Sequence, residues 1–386
     1  MVSYTGRCKD FRNRVGKREI KMKVLVVNTV GFGTNGITAV IMNLFQSINK
    51  ENIQMDFVSI NDSGFDFEQR IGAYGSKVYF LCRNNNPFLY MLKLAKLLKK
   101  GKYDVIHIHG NSATMAVETM AAALAGVKVR IAHSHSSSCT HMKIHKILYP
   151  FFCMSYTHGF ACGEAAGKWL FRKDKFTVLN NAVDLGKYMF EEENRNKLRD
   201  ELRLEDCFVI GHVGNFSPEK NHLFLLDVFA KVVENNSKTK LLLIGDGPLN
   251  EQIQEKIKGL GLEQHVILTG FVSNVDEYIQ AMDAFVLPSV YEGFCVALLE
   301  AMASGLPCAV SDSIEQAAYF DECIDSFSID NSLEWVDYLA RMVEAHDSDN
   351  RGKISEERLI LLEEKGFSLQ KNAKVLEELY MSFLKK

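Results

Sequence analysis

Residues 23–30 (KVLVVNTV) form an unbroken apolar, β-branched run, the pattern of a strand buried on both faces. GFGTNG follows, and then ITAVIMNLFQSI carries helical periodicity. Further strand-like runs fall at 53–60, 77–81, 104–109, 128–133 and around 157–162, with helical segments such as 88–100 and 112–125 between them. Strand alternating with helix predicts a mostly parallel sheet covered by helices on both sides. The rhythm breaks in a charged stretch (EEENRNKLRDELRLED) and restarts at 208–213 (FVIGHV). A helix at 222–235 and strands at 240–244, 265–269, 284–287 and 307–310 continue it, and an amphipathic helix closes the chain at 367–385. The pattern predicts an α/β protein of two Rossmann-like domains, 22–185 and 208–365. A linker would occupy 186–207 and a last helix 366–386. Ligands of open parallel sheets bind at the carboxyl ends of the strands, so two such sheets face to face make one cleft.

The length of 386 residues and an apolar share of 47% suit two cores. The formal charge of −3 points to no nucleic-acid partner. Residues 1–23 hold eight Lys or Arg against Asp10 and Glu19, a local +6 that leaves −9 for the rest. Residues 1–21 are therefore set apart as a basic leader; with no apolar stretch behind it, it is not a secretory signal. Nine scattered cysteines without a CxxC pair read as reduced thiols of a cytoplasmic protein.

The densest chemistry lies in 284–310, AFVLPSVYEGFCVALLEAMASGLPCAV. A strand ends near Pro288, a loop carries Tyr291, Glu292 and Gly293, and a helix starting near Phe294 and Cys295 contains Glu300. Gly293 allows close backbone approach, and the free N–H groups of the helix suit a diphosphate. Glu292 and Glu300 would sit roughly 80° apart on one helix, so they do not form a stripe. With Glu292 in the loop, both can reach one ligand from different heights.

Glu292-Gly293-Phe294 with Glu300 resembles the E-x7-E motif of family 4 retaining glycosyltransferases, enzymes of the GT-B fold. LIGDGP (243–248), TGFV (269–272) and GNFSPEKN (214–221) resemble further segments of that family in order. Bacterial exopolysaccharide and capsule transferases are the most similar sub-group. The resemblance implies that Glu300 binds the ribose hydroxyls and Glu292 the donor sugar. It gives Lys220 and the amides after Gly293 the departing diphosphate, and Phe271 and Val272 the base. Cys295 and Phe294 flank the donor. Asn215 stands where the family usually has Arg, which removes a charge from the diphosphate grip. The donor is expected to be UDP-linked, and the acceptor a glycan or a lipid-linked glycan.

GFGTNG is literally G-x-G-x-x-G, yet Asp56 lies at the wrong end of the next strand and Asp62 comes late for a dinucleotide ribose. The resemblance instead makes Gly33 and Gly36 a loop where acceptor and donor phosphate meet. His107, His109, His133 and His135 form two H-x-H pairs at strand ends, a spacing able to ligate a metal, but no carboxylate or cysteine stands nearby. The resemblance puts His135 at the catalytic centre. No cofactor and no metal is expected, since a helix N-terminus with Lys220 can replace a cation. Lys93, Lys96, Lys99 and Lys100 line one side of 88–100, as on a surface helix packing on its sheet with a lysine-rich outer face; the alternative is peripheral contact with an anionic membrane. The rival readings are a nucleotide-sugar epimerase of the same fold, an NAD-dependent oxidoreductase using GFGTNG, and a non-catalytic nucleotide-sugar-binding protein.

Overall fold

In the computed structural model the described residues are 22–33, 36–60, 64–83, 86–291, 295–314, 324–345 and 350–385. The apolar runs become two all-parallel sheets, because a strand apolar on both faces is stable only when helices cover both. The first holds β1 (Met22–Asn28), β2 (Ile53–Ser59), β3 (Val78–Phe80), β4 (Val105–Gly110), β5 (Val129–Ser134), β6 (His158–Ala161) and β7 (Phe176–Val178). Their order is β3-β2-β1-β4-β5-β6-β7. The second holds β8 (Phe208–Val213), β9 (Thr239–Ile244), β10 (Val266–Leu268), β11 (Ala284–Leu287), β12 (Cys308–Ser311) and β13 (Ile324–Phe327), in the order β10-β9-β8-β11-β12-β13. The order reverses between β1 and β4 in one sheet and between β8 and β11 in the other. Those are the points where crevices open.

Each sheet is sandwiched between two cores. One core of the first sheet gathers Val24, Val26, Phe45 and Phe57, and the other Leu25, Val27, Leu94 and Phe152. The second sheet divides likewise between Phe285 with Leu298 and Val286 with Trp335.

Within 186–207 the chain forms helix Glu192–Leu202, whose buried residues are Arg195, Leu198 and Arg199. Both guanidiniums converge on Asp283, with contacts of 2.5 Å and 3.1 Å, and also cap backbone carbonyls around 280–282. A charged sequence is thus locked by buried, hydrogen-bonded ion pairs. Helix Leu369–Leu384 returns to the first sheet, burying Leu369, Leu376 and Tyr380 in its core. The segment crossing out and the segment crossing back meet in an isolated parallel bridge: Val183 N donates to Phe367 O (3.1 Å) and Leu369 N to Val183 O (2.9 Å).

Candidate active site

At the carboxyl end of the second sheet, loop 214–221 lies on the glycine turn after β9. Gly214 N donates to Ile244 O (3.0 Å), Phe216 N to Asp246 O (3.0 Å) and Leu249 N to Phe216 O (2.9 Å). Gly245 has φ +139°, and a Cβ there would strike the Gly214 carbonyl, so only glycine permits this approach. Asn215 is exposed beside Gly247, and Lys220 is half-buried at the end of the turn Pro218–Lys220. Beneath them His212 donates through Nδ1 to Val286 O (2.8 Å), and burial holds its ring neutral. Gly245 N donates to Gly270 O (3.1 Å), which brings Phe271, 76% exposed, and Val272 to the same edge.

Helix Val296–Ala303 starts from the buried Cys295. The loop before it is tied to the lysine loop, since Val290 N donates to Glu219 O (2.8 Å). Glu300 accepts a hydrogen bond from Tyr188 Oη (2.8 Å). Burial pushes the Glu300 carboxyl up to about 7, opposed by that hydrogen bond and by Lys187. Glu292, Gly293 and Phe294 lie outside the described residues.

In the first half, β4 and β5 run parallel with His109 opposite His133. Alternation puts both members of each H-x-H pair on one face, so four rings gather. His107 stacks on His109 (4.2 Å) and His133 on His135 (4.3 Å). Hydrogen bonds cross between strands: His107 Nε2 with His133 Nδ1 (3.1 Å) and His109 Nδ1 with His135 Nε2 (2.8 Å). Tyr380 Oη from the last helix meets His107 Nδ1 (2.6 Å). Burial lowers all four, His107 to about 3, so the cluster is neutral at physiological pH. His107, His109 and His133 bring ligand nitrogens within 4.8 Å of one another. Several of those nitrogens are already engaged, those of His107 by Tyr380 and His133, and Nδ1 of His109 by His135.

The glycine loop after β1 is pinned to this cluster. Thr29 N and Oγ1 both donate to His109 O (2.9 Å each), and Gly33 N donates to Thr38 Oγ1 (3.2 Å). Gly36 opens helix Gly36–Ser47. Asp56 sits at the middle of β2 rather than at either end and is spent elsewhere, taking Tyr103 Oη (2.6 Å) and Lys77 N (2.9 Å); Asp62 lies outside the described residues. Across the cleft, the Ser137 and Ser138 hydroxyls after β5 are each 3.4 Å from Tyr291 Oη. The structure therefore gathers Asn215, Lys220, Phe271, Val272, Cys295 and Glu300 on one wall, and Gly33, Gly36 and His135 on the other.

Two tyrosines escaped the sequence reading as site residues. Tyr188 has no local signal, being 112 positions from its partner. Tyr291 adjoins Glu292 and was legible only as part of that loop. A groove lined by Arg195, Arg199, Lys238 and Lys353 opens at the amino end of the second sheet and shares no residue with these loops.

Family models match both halves: Glycosyltransferase Family 4 over residues 34–187 and Glycosyl transferases group 1 over 194–356. EpsF of Bacillus subtilis, described as a glycosyltransferase, is 32% identical over 301 residues, 74% of this chain and 78% of that protein. The chain belongs to the group 1 glycosyltransferases. The Escherichia coli UDP-Gal:alpha-D-GlcNAc-diphosphoundecaprenol alpha-1,3-galactosyltransferase is 29% identical over 325 residues, 79% of this chain and 82% of that protein. Anabaena HepE, crystallised with UDP and glucose, superposes with a TM-score of 0.77 over 94% of this chain and all of its own at 19% identity, a likeness of fold. The group 1 glycosyltransferase described here is thus a GT-B enzyme of two Rossmann-like domains.

Proposed function

We propose that this glycosyltransferase moves a hexose or N-acetylhexosamine, with retention, from a UDP-sugar to a lipid-linked glycan in surface-polysaccharide synthesis. The observation that carries the reading is the bond between Val290 N and Glu219 O, which holds the Lys220 loop against the loop entering helix Val296–Ala303. A cation and a helix N-terminus then serve one anion, the arrangement a departing diphosphate requires. The relative named for UDP-Gal and a diphosphoundecaprenol acceptor supports the donor and acceptor classes.

In this reading 208–365 binds the donor and 22–185 the acceptor. Glu300 takes the ribose hydroxyls, Glu292 the donor sugar, Lys220 and Asn215 the diphosphate, and Phe271 and Val272 the base. His135 faces the reacting centre from the opposite wall, beside Gly33 and Gly36. The acceptor hydroxyl passes its proton to the leaving diphosphate, and closure of the domains excludes water. Lys220 with the helix N-terminus carries the charge that a divalent ion carries in other transferases. The epimerase reading has less support, because the long matches are to transferases. Helix Pro87–Gly101 buries Tyr90, Met91, Leu94 and Leu98 and leaves Lys93, Lys96, Lys99 and Lys100 exposed, which suits an electrostatic contact with anionic lipid.

Thermal stabilisation by UDP, GDP, ADP, NAD and NADP tests the assignment. A nucleotide at 100 times its Kd adds about 2.7 kcal/mol. UDP is expected to stabilise the wild type and to act more weakly on Glu300→Ala. Stabilisation by NAD alone, unchanged in the variant, overturns the proposal.

A further inference from the structure

We propose that His212 is a positioning residue for Lys220: its imidazole, fixed in one tautomer beneath the loop, turns a lone pair toward the lysine and steers the charge that the departing diphosphate meets. This rests on the role given to Lys220 above. His212 lies on β8 two residues before Gly214, where the loop carrying Lys220 begins. Its Nδ1 donates to Val286 O (2.8 Å), since a carbonyl only accepts. Burial keeps the ring neutral, so its single N–H is the one on Nδ1 and Nε2 carries a lone pair. Nε2 is buried and has no hydrogen-bond partner among the described residues. A buried acceptor left unmet destabilises a fold, so its presence here asks for a use.

The lysine supplies that use. A Cβ on Gly214 would stand 3.1 Å from His212 Nε2, 3.3 Å from Lys220 Cδ and 3.4 Å from Lys220 Cε. The bare α-carbon of Gly214 thus leaves one space, shared by the Nε2 edge of the ring and the last methylenes of the lysine. The methylene beside an ammonium carries part of its positive charge. A lone pair facing it attracts, and more strongly where water is excluded.

His222 closes the arrangement from the other end of the loop. It follows Lys220 by two residues, opens helix His222–Asn235 and is buried. Its ring meets that of His212 edge to face with centroids 4.6 Å apart, and Phe216 packs on it at the same distance. Burial and the charge of Lys220 lower His222 to about 4, so it adds no positive charge to the loop. Both ends of the lysine loop are therefore seated on one pair of uncharged rings. Of the two, His212 is the one whose nitrogen the structure places at the lysine stem.

Two substitutions separate the two ring nitrogens. In His212→Asn the amide reaches the Nδ1 position and can keep the bond to Val286, but nothing stands at Nε2. In His212→Gln an amide oxygen can stand at Nε2, and the Nδ1 position is lost. Steady-state transfer should show kcat about tenfold lower for His212→Asn, with the donor KM nearly unchanged. His212→Gln should recover much of that loss. In a Lys220→Ala background neither substitution should lower kcat further. The proposal is overturned if the Asn variant keeps its activity and the Gln variant loses it. It is equally overturned if each variant costs the same factor with and without the lysine, because His212 then serves the fold alone. A second readout needs no turnover: competitive acetylation of the native protein, followed at Lys220 by peptide mass spectrometry. Labelling should quicken several-fold in His212→Asn and stay near the wild-type rate in His212→Gln; equal rates in all three overturn the proposal. A wild type that transfers no sugar while this labelling pattern holds would sink the transferase reading and leave the link between His212 and Lys220 standing.

Discussion

The two walls of the cleft solve opposite electrostatic problems. The wall from the second half offers a lysine, a helix N-terminus and a buried carboxyl that titrates at about 7. The wall from the first half offers four imidazoles that burial keeps uncharged. In the proposed reading the contrast is a division of labour: charge where a diphosphate would depart, neutral hydrogen-bonding groups where an acceptor hydroxyl would be oriented.

Lys220→Ala strikes the comparison hardest. Removing a group aimed at developing charge costs about 100- to 1,000-fold in kcat, and steady-state transfer assays should show a much smaller change in UDP affinity. A loss of UDP binding as large as the loss of rate would mean that the lysine serves the ground state instead. Next comes Glu300, whose carboxyl stands at about 7 when folded against the usual value near 4.5. The folded state therefore holds this proton more tightly. Its stabilising contribution is full below about 4.5 and is lost as pH rises through about 7. UDP needs the ionised form, so affinity should climb through the same window. Calorimetric titration from acid to mildly alkaline pH would give a flat profile if Glu300 has no part in binding.

Tyr188→Phe removes the donor that helps hold the Glu300 charge. The midpoint of that pH profile should move upward, and the donor KM should rise by about tenfold or more, the worth of one hydrogen bond to a charged group. An unmoved midpoint would reduce Tyr188 to packing. The smallest effect is expected from Tyr380→Phe, which leaves His107 Nδ1 without its partner. A cost of about 1–3 kcal/mol should lower the Tm while catalysis with saturating substrates stays near normal. An unchanged Tm would show that the last helix is held by its apolar contacts alone.

The second wall was legible because its parts are close in sequence. Lys220 follows Gly214 within one loop, and Glu300 falls in a motif whose resemblance to a known family marked it out. The first wall was only half legible. Each H-x-H pair declared itself, but the pairs meet across 26 residues and reach Tyr380 across 273. No local pattern encodes such a register. β7 and β13 gave no apolar run, being three and four residues long and only partly buried at the sheet edges. Helix Glu192–Leu202 hid for a related reason. Its inward residues include two arginines whose value lies in Asp283, more than 80 positions away.

The paired crossing at Val183 and residues 367–369 has a consequence for how such enzymes diversify. The second domain leaves and re-enters the first through one hydrogen-bonded doorway, so in topology it is an insertion. A replacement module from a relative has to match one junction rather than two distant ones. On the proposed reading, donor specificity could then be exchanged in a single recombination cassette, while the first domain and its returning helix remain intact.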